Sequence, residues 1–151
     1  MDDEMRPVLL VEDNSDDERL MFRVLAGTDS TERIVVARDG DESLHALFGC
    51  VPDEDTVPLL YPVVVVADLK LPKRDGIEVL KAIRANRYTR TLPVVILTSS
   101  DQESDIRECY RHGVNSYVCK PVKFADLQDA VRLIEHYWLR TNVAPEPVAA
   151  R

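Results

Sequence analysis

The chain has 151 residues, 45% of them hydrophobic, with 27 acidic against 19 basic residues and a formal net charge of -8. That length suits one domain with a proper core, and the acidic balance excludes a general nucleic-acid binder, which needs clustered Lys and Arg to release counterions. No apolar run is long enough to span a bilayer and the first six residues are polar rather than signal-like, so no membrane partner is expected and the cytoplasm is the expected compartment.

Residues 7–11 (PVLLV) form an apolar run without alternation, the pattern of a strand covered on both faces. Glu12, Asp13 and Asn14 follow. Residues 15–26 then place Leu20, Met21, Val24 and Leu25 on one helical stripe that stops at Gly27. A second strand is predicted over 33–37 and a second helix over 39–48, with Asp39, Asp41 and Glu42 where the helix dipole favours acids. Residues 49–62, with three prolines and an acidic run, read as a long loop. Residues 63–67 (VVVVA) are the most β-branched stretch and predict a central strand running into Asp68. Leu71-Pro72 and Asp75-Gly76 mark a loop before a third helix at 77–85. A fourth buried strand at 93–97 (PVVIL) ends at Thr98, and a helix over 102–112 is stopped by Gly113. A short fifth strand, 116–119, is closed by Lys120-Pro121; a last helix covers 124–140, and 141–151 read as a flexible tail. Five strands alternating with five helices predict an α/β, doubly wound parallel sheet in a single domain spanning 1–151, its core at about 6–140.

In such a sheet, ligands bind beyond the carboxyl ends of the strands, where residues distant in sequence converge. Magnesium takes oxygen ligands and is held by one or two carboxylates plus phosphate oxygens. Asp13 and Asp68 can supply the carboxylates, Glu12 can orient a metal-bound water, and the backbone carbonyl of Lys70 can add a neutral ligand. Equally, Glu12, Asp13 and Asn14 could simply start a helix, and a lone Asp at a strand end is most often unremarkable. An aspartate can form a covalent phosphoryl intermediate, which makes Asp68 the candidate phosphoacceptor. Lys120 can reach a phosphoryl oxygen as a point charge, Thr98 can donate its hydroxyl to the same group, and Lys120-Pro121 is a candidate cis peptide.

With Glu12-Asp13, Asp68, Thr98, Tyr117 and Lys120-Pro121 in that order on five βα units, the chain closely resembles the CheY-like receiver domain of two-component response regulators. The resemblance implies a flavodoxin-like sheet of order 2-1-3-4-5. It also implies phosphorylation of Asp68 by a sensor histidine kinase, with magnesium held by Asp13, Asp68 and the Lys70 carbonyl, and Glu12 as the other acidic position. Thr98 and Tyr117 are then the switch pair, altering the face made by the fourth helix, fifth strand and fifth helix. The long 49–62 loop and the closing Tyr137-Trp138-Leu139 resemble single-domain regulators that partner bacterial phytochrome-type kinases. A homodimer through the last helix is an open expectation.

Competing functions are weaker. A magnesium-dependent aspartyl-phosphate phosphatase or phosphotransferase would want a second acid two residues past its nucleophile, where Lys70 stands, so an enzyme is not expected. A flavodoxin-like electron carrier would not place an acidic loop where it binds phosphate. Cys50, Cys109 and Cys119 are odd in number and lack CxxC spacing, which predicts reduced, mostly buried thiols. His45, His112 and His136 show no metal-ligand spacing. Tyr137 and Trp138 suit core packing and an interface about equally.

Overall fold

The computed structural model of the chain describes residues 6–27 and 33–148. Five parallel strands, β1 (Val8–Val11), β2 (Ile34–Ala37), β3 (Val64–Ala67), β4 (Val94–Thr98) and β5 (Ser116–Cys119), form one sheet in the order β2-β1-β3-β4-β5. The helices between and after them are α1 (Ser15–Ala26), α2 (Gly40–Phe48), α3 (Gly76–Ala85), α4 (Glu103–Arg111) and α5 (Phe124–Glu135).

The unbroken apolar runs bury both faces of the sheet, because successive side chains point to opposite sides. Leu9, Val11, Val65, Ala67, Val94 and Ile96 pack with α2 and α3 on one face, while Val8, Leu10, Val64, Val66, Val95 and Leu97 pack with α1 and α5 on the other. The register aligns Val11 with Ala37 and Ala67, and Ala67 with Ile96, so the first three strands end at one level and β4 runs two residues past it to Thr98. Just beyond that level stand Glu12, Asp13 and Asp68, with Thr98 at the end of β4 and Lys120 directly after β5.

The strands expected to begin at residues 7, 33, 63 and 93 each begin one residue later, and at Pro7 and Pro93 the reason is that proline has no N–H for the ladder. The expected long last helix is α-helical only to Glu135. His136–Thr141 then winds as a π-helical turn, closed by Asn142 N–H donating to the Tyr137 carbonyl (2.6 Å) and Thr141 Oγ1 to that of His136 (3.0 Å). Residues 142–148 have no regular structure, yet Arg6 donates to the Pro145 carbonyl at 3.0 Å. The loop before β3 is held to the end of α3, where Asn86 Nδ2 donates to the carbonyls of Asp53 (2.9 Å) and Thr56 (2.8 Å).

Two expectations are corrected. Lys120-Pro121 is trans, the form an X-Pro bond prefers, and Lys120 N–H donates to the Thr98 carbonyl at 2.6 Å, which carries the β4–β5 pairing one residue past the strand. The thiols are free but not mostly buried: Cys109 is, while Cys50 and Cys119 are exposed. Trp138 packs against the core and meets the half-exposed Tyr137 ring edge-on at 5.0 Å.

Candidate functional site

Glu12 and Asp13 follow β1 directly, and Asn14 caps α1 by accepting from Asp16 and Asp17 N–H, both at 3.0 Å. Glu12 turns inward and is fully buried, its Oε2 accepting from Asp13 N–H at 3.1 Å. Asp68 follows β3, with its own N–H donating to Val11 O (2.9 Å) and its Oδ1 accepting from Lys70 N–H (3.2 Å). One carboxylate oxygen from each of Glu12, Asp13 and Asp68 lies within 4.8 Å of the others.

The Lys120 ammonium fills the middle. It donates to Glu12 Oε1, to Asp17 Oδ2 at 2.9 Å and to Asp68 Oδ2 at 2.9 Å. Lys120 and Asp68 lie far from each other and from residues 12–17 in the chain, and the parallel ladder brings the three strand ends together. Burial would lower the lysine pKa, but the hydrogen bonds to Glu12, Asp17 and Asp68 outweigh it and hold the ammonium above its ordinary value. Burial pushes Glu12 up to about 7, with Asp68 adding repulsion against the opposing pull of Lys120.

Thr98 is buried at the end of β4, and its Oγ1 accepts from Ser100 N–H at 3.4 Å. Tyr117 is half-buried with its hydroxyl donating to the Ser100 carbonyl at 2.8 Å, and burial raises its pKa. Ser100 Oγ in turn donates to Asp105 Oδ2 at 2.5 Å, and Lys70 Nζ lies 3.5 Å from that same oxygen. The expected switch residues, on β4 and β5, thus both bond to Ser100 on the loop leading to α4, a helix that buries only Cys109 and has no side-chain cap.

Every candidate residue lies at the carboxyl end of the sheet. Glu12, Asp13, Asp68 and Lys120 come together directly, and Lys70 adjoins them through its peptide. Two participants were missed: Ser100, which joins Thr98 to Tyr117, and Asp17. The signal for Asp17 was its place in the first turn of α1, directly after the acidic end of β1.

The Response regulator receiver domain model matches residues 8–132. The chain is 40% identical over 140 residues to the probable methanogenesis regulatory protein FilR2 of Methanothrix harundinacea, covering 93% of this chain and 88% of that protein. It is 36% identical over 148 residues to response regulator Rcp1 of Synechocystis sp., covering 96% of this chain and 99% of that one. Among solved structures it is similar to the phosphorylated cyanobacterial phytochrome response regulator RcpA, with TM-score 0.82, 34% identity and coverage of 93% and 99%. The Mn(2+)-bound form of Rcp1 gives TM-score 0.82 at 35% identity, again covering 93% and 99%.

Proposed function

Because the chain belongs to the response regulator receiver domain family, we propose that Asp68 accepts a phosphoryl group from a phosphohistidine on a sensor histidine kinase, with magnesium as cation. The observation that carries the assignment of Asp68 is its contact with Lys120 beside Glu12 and Asp13. In the transfer, an Asp68 oxygen forms the new P–O bond as the donor's P–N bond breaks, and the imidazole leaves with the electron pair. Lys120 donates a hydrogen bond to one phosphoryl oxygen and the Thr98 hydroxyl donates one to another.

The donor set fits a hard divalent cation. Three carboxylates, those of Glu12, Asp17 and Asp68, contact one ammonium, and Asp13 joins Glu12 and Asp68 in presenting three converging oxygens. Asp13, Asp68 and the Lys70 carbonyl would hold magnesium, with Glu12 orienting a bound water. When bound, the ion supplies positive charge against the phosphoryl oxygens.

Reorientation of Thr98 and Tyr117 would shift Ser100 and with it the start of α4, altering the face made with β5 and α5. The likeness to RcpA supports a bacteriophytochrome-type kinase as donor. The half-exposed Tyr137 and exposed Leu133 support α5 as a homodimer face. No described helix is long and apolar enough to cross a membrane, and we place the domain, with its core at about 6–140, in the cytoplasm.

Incubation with a small acyl phosphate and magnesium, followed by intact-mass measurement, tests the assignment. One phosphoryl addition is expected on the wild type and none on Asp68→Asn. Equal labelling of both removes Asp68 from its role.

A further inference from the structure

We infer that Asp17 is a positioning residue that acts through Lys120: it restrains the ammonium in the resting state and is the partner an incoming phosphoryl oxygen displaces. This rests on Asp68 being the acceptor. An ammonium has three donors, and here they go to Glu12, Asp17 and Asp68. A phosphoryl oxygen can therefore engage Lys120 only by taking the place of one carboxylate.

Geometry and solvation decide which one yields. Glu12 is completely inaccessible, so losing its cation would strand a buried charge. Asp68 becomes the phosphorylated group itself and remains beside the amine. Asp17 has the most exposed side chain of the three, 22% against 0% and 11%, and water can take over its lost hydrogen bond at least cost. Its position also separates it from the converging set, since the three oxygens suited to a cation come from Glu12, Asp13 and Asp68. Asp17 touches the site through the lysine.

Two effects follow from that contact. The carboxylate holds the ammonium away from the arriving phosphoryl group, and its negative charge opposes a phosphoryl group on Asp68 once formed. Both act in the same direction. Removing the charge at Asp17 should speed phosphorylation and prolong the phosphorylated state.

The test compares wild type, Asp17→Asn and Asp16→Asn by intact mass, following the labelling rate against acyl-phosphate concentration and the lifetime after donor removal. Asp16 carries the same charge one residue away on the exposed surface, and no hydrogen bond joins its carboxylate to Lys120. Asp17→Asn is expected to raise the labelling rate roughly three- to tenfold and to lengthen the lifetime, with Asp16→Asn matching wild type. Thermal midpoints, measured alongside, separate positioning from support of the fold, because a structural role would lower the midpoint without lengthening the lifetime. Slower or unchanged labelling of Asp17→Asn, or equal acceleration by Asp16→Asn, overturns the inference while leaving Asp68 in place. A wild type that takes no label overturns both.

Discussion

Glu12 has no exposed surface and an ammonium for a neighbour, two conditions that pull its titration in opposite directions. Burial prevails and sets the pKa at about 7, above the ordinary 4.5. A carboxyl raised on folding contributes stability below its unfolded pKa and loses it as pH rises through the folded one. In the cation-free protein that loss therefore falls between pH 4.5 and about 7. A divalent cation favours the ionised form, so the gain in thermal midpoint on adding magnesium should grow from pH 6 to pH 8, by about 2–4 °C. Scanning calorimetry checks this, and Glu12→Gln should flatten the trend. Glu12, Asp13, Asp68, Thr98 and Lys120 were legible in the sequence because each ends a recognisable strand, and parallel strands gather their ends. Asp17 and Ser100 were not, because their roles depend on side-chain directions set by a helix cap and a loop.

The elements hold the acceptor loop by close backbone approach. Gly76 opens α3 so near the preceding loop that an added Cβ would lie 2.4 Å from the Asp68 carbonyl oxygen and 2.9 Å from Leu69 Cα. Gly76→Ala should cost about 1–3 kcal/mol in urea unfolding, as overpacking does, and should slow labelling because the Asp68 peptide must shift. Normal labelling in a destabilised variant would show that the loop yields elsewhere. The apolar runs and Gly stops made all ten elements readable, and the misses were at ends. Four strands begin one residue later than expected, and proline accounts for two of these starts, at Pro7 and Pro93. The π-helical turn at His136–Thr141 leaves no mark in periodicity, since its bonds are decided by packing of Trp138 and Leu139 against the core.

At the scale of the whole molecule, the two ends of the sheet are assigned to different tasks. The carboxyl end gathers charge; at the other, Arg6 is 5% exposed, donates to the carbonyls of Pro62 (2.9 Å) and Pro145 (3.0 Å), and lies over the Tyr61 ring at 5.1 Å. Arg6→Ala should lower stability by about 2–3 kcal/mol, the range for hydrogen bonds to a charged group, while leaving the labelling rate of the folded protein unchanged. A chemical melt and the mass assay on one preparation test both halves. The separation in sequence between Lys120 and its acidic partners has a consequence for how the chain reaches this state. Lys120 stands 108 residues after Glu12 and 52 after Asp68. During synthesis Glu12 and Asp68 therefore emerge before the lysine that pairs with them. The ion-paired centre is thus completed only when the fifth strand, whose end carries Lys120, joins the sheet.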